Sequence, residues 1–325
     1  MSAQPASRNV WQVSAGTSNR TYADVFLKYG VALIGPGDTG PWRAGRDDEE
    51  FEGSYVRRFA TEVHIGDIIL LRAGLSTIRA VGLVATEYLY LPQFDDVNGW
   101  DLSHARRVRW CQLPDEYNFG SPVFGANPPR LSKVNTRDVV GYAERFTQSP
   151  PTHWQTSTLP PLPELEPPLG DVPVALQGLV AQVHDLTNLY WDRQAFGEHP
   201  TEDELVVHYV VPLLRALGWP AEKIAVKWRY IDVSVFESLP RSAENCRFII
   251  EAKRLGQGIE GALEQAKTYI KALGVPRDIV VTDGIRYRLY GASNDYAPAA
   301  YANLAYLKHS ALDLFERIRR PTGGI

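Results

Sequence analysis

Between Ser149 and Pro173 the chain places eight prolines in 25 residues: Pro150, Pro151, Pro160, Pro161, Pro163, Pro167, Pro168 and Pro173. Each proline lacks a backbone N–H and fixes φ, so neither a helix nor a central strand can run through the segment. An extended, semi-rigid spacer is expected there. It divides the 325 residues into 1–148 and 174–325, with 149–173 between them. Each side is long enough to bury a core of its own.

Composition narrows the class. Hydrophobic residues make up 44% of the chain, an ordinary share for a globular protein. No stretch reaches the roughly 20 apolar residues that span a bilayer. Met1-Ser2-Ala3-Gln4-Pro5 lacks the basic-then-apolar pattern of a signal peptide. The two cysteines, Cys111 and Cys246, supply neither a disulfide framework nor zinc spacing, which fits a reducing, cytoplasmic setting. Net charge is −4; residues 1–150 carry 16 basic against 17 acidic side chains, and 151–325 carry 18 against 21. A nucleic-acid footprint must then be local. The candidate patches are Arg57-Arg58, Arg106-Arg107-Val108-Arg109, Lys253-Arg254 and the group Lys267, Lys271 and Arg277, each of which could equally be a solvated face.

The first half reads as β-rich. Val10–Val13, Val31–Gly35, Asp67–Leu71 and Ile78–Val84 are apolar runs bounded by Gly, Pro and Asp, and Tyr22–Tyr29 has helical spacing. Short strands with one or two small helices suggest a compact barrel. The second half opens with a helix over Val174–Tyr190, whose stripe Leu176, Leu179, Val180, Val183 and Leu186 could pack internally or against a second copy. A second helix runs from Thr201 to Leu217, with Thr201 and Glu204 spaced as a capping box. Strands at Ala225–Trp228, Tyr230–Phe236 and Arg247–Ala252, a helix over Gly258–Leu273, and strands at Asp278–Thr282 and Arg286–Tyr290 follow. That order suits a mixed sheet flanked by helices, an α/β domain.

Two of these runs carry chemistry. Asp232 lies in Tyr230-Ile231-Asp232-Val233-Ser234-Val235, and Phe248-Ile249-Ile250-Glu251-Ala252-Lys253 ends in a carboxylate and an ammonium group. If the strands pair, Asp232 and Glu251 face one cleft, with Lys253 on the side of Glu251. Two close carboxylates suit Mg²⁺, which can polarise a phosphoryl oxygen and lower the pKa of a bound water. Lys253 can orient that water or stabilise developing charge. Ordinary strand-end charges would give the same three letters.

The wider pattern, from Thr201 to Tyr290, resembles the PD-(D/E)xK nuclease superfamily, especially the N-terminal nuclease domain of type I restriction motor subunits. The residues that carry the resemblance are the helix Thr201–Trp219, Asp232, Ile249-Ile250-Glu251-Ala252-Lys253-Arg254, Gln265-Ala266-Lys267-Thr268-Tyr269 and Val281-Thr282-Asp283-Gly284. The resemblance implies that Asp232 and Glu251 bind metal and Lys253 is catalytic. It also implies that Gln265 lies near the site and that Tyr269, with Arg254 and Lys267, approaches DNA. One further acid from the helix is implied: Glu202, which shares a face with Val206, Tyr209 and Leu213, or Glu204, which capping already explains. Residues 237–245 form a polar insert between the acids, either a DNA-contacting loop or a long turn. No helicase P-loop follows.

Residues 8–115 resemble EVE-type members of the PUA-like fold. The pattern comprises Trp11-Gln12-Val13-Ser14-Ala15-Gly16, Asp24-Val25-Phe26-Leu27, Val31-Ala32-Leu33-Ile34-Gly35, Gly37-Asp38-Thr39-Gly40-Pro41-Trp42, Ala80-Val81-Gly82 and Gly99-Trp100-Asp101-Leu102. This implies a small barrel with a pocket for a flipped, modified base, a cytosine derivative. Trp11, Trp42 and Trp100 would be walls, and Ser14 and Asp38 polar readers. Trp11 could equally be core, Asp38 could equally serve only to organise its turn, and Trp110 reads as core.

Together the resemblances imply a modification-dependent DNA endonuclease using Mg²⁺ on double-stranded DNA. A homodimer would supply two cutting sites, and the setting would be defence against phage DNA in a bacterial cytoplasm. A nuclease of RNA or unmodified DNA in repair or processing, and a binding protein with an inactive nuclease fold, remain as alternatives.

Overall fold

The computed structural model describes residues 8–16, 21–37, 40–42, 55–151, 154, 158–191, 200–255 and 257–321, with backbone only at 184 and 187–191. Two compact units divide the chain, Met1–Leu165 and Glu166–Ile325, and the division falls inside the proline-rich segment. The segment is less a free spacer than two fastened stretches, because apolar side chains between its prolines find a core. Trp154 is buried, and its indole N–H donates to the Arg109 carbonyl at 2.9 Å. Leu162 packs on the core of the first unit. In the second unit Glu166 accepts from Ser310, and the Leu169 N–H donates to the Leu307 carbonyl at 2.7 Å.

The first unit contains β1 (Val10–Ser14), α1 (Ala23–Tyr29), β2 (Val31–Ile34), α2 (Tyr55–Thr61), β3 (Ile68–Arg72), β4 (Thr77–Val84), β5 (Leu89–Tyr90), β6 (His104–Asn118), β7 (Leu131–Lys133) and α3 (Arg137–Gln148). Its sheet has the order β2-β6-β4-β3-β1-β7, with β5 beside β6, and curls into a half-barrel. The 15-residue β6 is the spine, pairing with β2, β4 and β5. One core lies under α1 and α2; a second packs Val10, Ile68, Leu70, Ile78 and Val81 against Val139 and Ala143 of α3. Gly30 ends α1 at φ 58, and a Cβ there would meet Pro160 at 2.7 Å, so glycine is required.

The second unit contains α4 (Val174–Trp191) and a helix, α5, that runs Glu202–Leu205, takes a π turn at Val206–Val210 and continues as Val211–Ala216. Then come β8 (Ile224–Trp228), β9 (Ile231–Phe236), β10 (Cys246–Ala252), α6 (Ala262–Leu273), β11 (Asp278–Thr282), β12 (Arg286–Gly291), β13 (Ala297–Asn303) and α7 (Ala311–Ile318). The sheet order is β13-β12-β11-β10-β9-β8, antiparallel except between β10 and β11. Helices α4, α5 and α7 cover one face, and α6 covers the other through Ala262, Leu263, Ala266, Ile270 and Leu273. Leu176, Leu179 and Val183 of α4 are buried in this core, so the stripe is used within the unit. The protein is thus mixed α/β with a curled half-barrel and a second sheet. Among the described residues no helix is long and apolar enough to cross a membrane.

Candidate active site

Strand pairing builds the site. β9 and β10 run antiparallel with Val233 opposite Ile250, which brings Asp232 beside Glu251 and Ala252. The Ala252 N–H donates to Asp232 Oδ2 at 2.8 Å. Both acids are buried, Glu251 to 1% exposure and Asp232 to 5%. Lys253 Nζ lies 3.0 Å from Glu251 Oε1 and 4.0 Å from Glu202 Oε1. Glu251 Oε2 is buried with no hydrogen-bond partner among the described residues. Burial pushes the Glu251 carboxyl up to about 7, helped by the charges of Asp232 and Glu202; Lys253 pulls the other way.

The start of α5 supplies Glu202. Its capping box is present: the Glu204 N–H donates to Thr201 Oγ1 at 3.2 Å, and the Thr201 N–H donates to Glu204 Oε2 at 2.7 Å. Glu204 is thus committed to the cap, and Glu202 is the helix acid that reaches the cluster.

Two members carried no sequence signal. Lys227 Nζ lies 2.7 Å from Asp232 Oδ1 and 2.9 Å from Asp203 Oδ1. Burial works against its ammonium charge, but the hydrogen bonds to Asp232 and Asp203 outweigh it and hold its pKa above the usual lysine range. Asp203 follows Glu202 directly, and Lys227 precedes Asp232 by five; neither spacing marks a motif.

Other residues from the sequence reading make contacts of their own. The Gln265 amide donates to the Tyr269 hydroxyl at 3.0 Å and makes no bond to Asp232 or Glu251 among the described residues. Lys267 pairs with Glu264 at 3.0 Å, and Arg254 is exposed. Residues 237–245 form a fastened turn: Arg277 donates to the Ala243 and Glu244 carbonyls, and Arg241 to the Glu222 and Ile224 carbonyls. Cys111 and Cys246 are buried and form no disulfide among the described residues; burial raises both thiols, Cys246 to about 11.

In the first unit Trp11 is core, 1% exposed, with its indole N–H on Asp67 Oδ2 at 2.9 Å. It is therefore a structural residue rather than a wall, because Asp67 also gathers Asn9 and the His64 N–H around it. Trp110 packs on the same core and donates to the Val31 carbonyl at 2.8 Å. Trp42 is half-buried and donates its backbone N–H to Tyr88 Oη at 3.0 Å. Trp100 is half-buried, with the Arg130 guanidinium 5.2 Å from its ring. Ser14 Oγ donates to the Gly16 carbonyl at 3.1 Å. Asp38 lies outside the described residues. The Arg106–Arg109 patch is partly structural: Arg106 is buried and donates to the Phe59, Ala60 and Thr86 carbonyls, while Arg107 donates to the Gly30 and Pro160 carbonyls.

No group of three or more His, Cys, Asp or Glu in metal-holding geometry occurs among the described residues. Mg²⁺ is commonly held by one or two carboxylates plus waters and substrate phosphates; here Glu251 Oε2 lacks a hydrogen-bond partner among the described residues, while both Asp232 oxygens accept, from Lys227 and the Ala252 N–H.

A family model described as a domain of unknown function, DUF8426, matches residues 11–121. No curated protein matches the chain. Among solved structures, the fragment structure of a protein described as an HsdR subunit of a type I restriction enzyme from Vibrio vulnificus YJ016 aligns at 17% identity and a TM-score of 0.26. The alignment covers 37% of this chain and 25% of that one. The chain thus spans a quarter of that protein's length, and a score so low carries no argument about fold or activity.

Proposed function

We propose that the chain is a Mg²⁺-dependent endodeoxyribonuclease that cuts double-stranded DNA with its second unit and reads a modified base, a cytosine derivative, with its first. The observation that carries the reading is the Glu251–Lys253 pair at 3.0 Å with Asp232 on the neighbouring strand. Asp232 and Glu251 would hold the ion, which when bound polarises the phosphoryl oxygen and acidifies a water. Glu202 adds negative charge on the same side. Lys253 orients the nucleophile and takes up charge as the phosphate oxygens gain it. Trp42, Trp100, Ser14 and Asp38 are the proposed base readers, and the resemblance of residues 8–115 to EVE modules supports them. A homodimer in a bacterial cytoplasm, acting on phage DNA, completes the proposal.

The test is digestion of phage genomes bearing different base modifications, with Mg²⁺ and with EDTA. Glu251→Ala and Lys253→Ala should each slow cleavage by about 10²-fold or more. Cleavage by either variant at the wild-type rate removes the assignment. A second reading, a nucleic-acid-binding protein that does not cut, is favoured by Lys227 occupying Asp232 Oδ1. It predicts no cleavage of any genome in the panel.

A further inference from the structure

The β8–β9 hairpin turns through Arg229 and Tyr230, since Trp228 pairs with Ile231. Both turn residues have positive φ, 51 and 68, and Lys227 has φ 55. Two central residues at positive φ define a type I′ turn, whose chemistry favours Asn-Gly. Bulky residues there are strained, and strain of this kind gathers at functional positions. The usual compensation, packing, is missing at Tyr230, which is 86% exposed. Arg229 is exposed, with its guanidinium 4.6 Å from the Trp228 ring, and Trp228 stands edge-on to Phe236 at 5.0 Å.

The place of this tip gives it meaning. Tyr230 precedes Asp232 by two residues, about 7 Å along a strand. That is about two nucleotide rises of a DNA strand. An exposed ring offers a stacking face to any base, and a guanidinium suits a phosphate. We infer that the Arg229-Tyr230 tip is a DNA-strand contact: Arg229 on a backbone phosphate and Tyr230 on a base within one to three nucleotides of the bond at the acid cluster. The inference rests on the nuclease reading of that cluster for its choice of ligand.

The full chain in EDTA is titrated against short labelled duplexes, modified and unmodified, and against matching RNA, with thermal melting run alongside. The double variant Arg229→Asn/Tyr230→Gly carries the turn's preferred residues, so it should melt higher than wild type and yet bind DNA about tenfold or more weakly. Arg229→Ala should lower the slope of log affinity against log salt by about one. Tyr230→Asn, a milder change, should weaken binding without altering that slope. DNA affinity unchanged in the double variant overturns the inference, and so does a loss seen with RNA alone. Cleavage separates it from the nuclease reading. If wild type cuts, Glu251→Gln does not, and the double variant binds normally, only the tip contact fails. If nothing cuts but the double variant loses DNA, only the nuclease reading fails.

Discussion

At Glu251, burial and the charge of Asp232 favour the protonated carboxyl, while Lys253 favours the charged one. The carboxyl titrates near 7 in the folded chain against an ordinary value of 4.5. The folded state therefore holds this proton more tightly than the unfolded state. The stability it contributes is whole below pH 4.5 and is lost as pH rises through 7. Glu251→Gln removes the titration and keeps the shape. In EDTA the variant should match wild type near pH 4 and exceed it by about 2–3 kcal/mol at pH 8.5, read by urea unfolding. A gap independent of pH would show that the carboxyl is not strained by its surroundings. Lys227 makes a second residue-scale case. Its ammonium sits where a cation would approach Asp232. Lys227→Met should tighten Mg²⁺ binding in calorimetry; weaker binding would mean that the lysine organises the acids rather than competes for them.

At the scale of elements, the π turn of α5 and the β11–β12 turn are fitted to each other. Gly284 has φ 85, and a Cβ on it would lie 2.9 Å from the Tyr209 ring. Asp283 ties the same turn by accepting from the Ile285 and Arg286 N–H groups. Gly284→Ala should destabilise the protein by about 1–3 kcal/mol in chemical denaturation. An unchanged midpoint would mean that the helix gives way freely. Here the limits of the sequence are physical. Apolar runs made β9 and β10 legible, and the capping box marked the start of α5. β6 was hidden because Arg106, Arg107 and Arg109 alternate with apolar residues, and buried Arg106 looks like surface until its three carbonyl partners are seen. β13 was hidden because Ala297-Pro298-Ala299-Ala300 has little strand character, and an edge strand tolerates that proline. Lys227 could not be found, since its reach to Asp232 depends on a backbone at positive φ that no residue there advertises.

At the scale of the molecule, the proline-rich segment fixes where the chain can be divided. Its later part belongs to the second unit through Glu166, Pro168 and Leu169. A fragment starting at Glu166 should therefore melt higher than one starting at Val174, and a scanning melt of both is the check. Equal midpoints would mean that those contacts add nothing. Prolines told the eye where to look for a boundary, yet only the packing of Trp154 and Leu169 tells which side each stretch serves.

The bond from the Ala252 N–H to Asp232 has a consequence for assembly. A strand slipped by one residue turns every side chain to the opposite face. Here such a slip would also leave a buried carboxylate without its donor, a penalty added to the lost packing. Asp232 thereby acts as a checksum on the sheet. A chain that pairs β9 and β10 wrongly loses the Ala252 N–H that the correct register aims at Asp232 Oδ2.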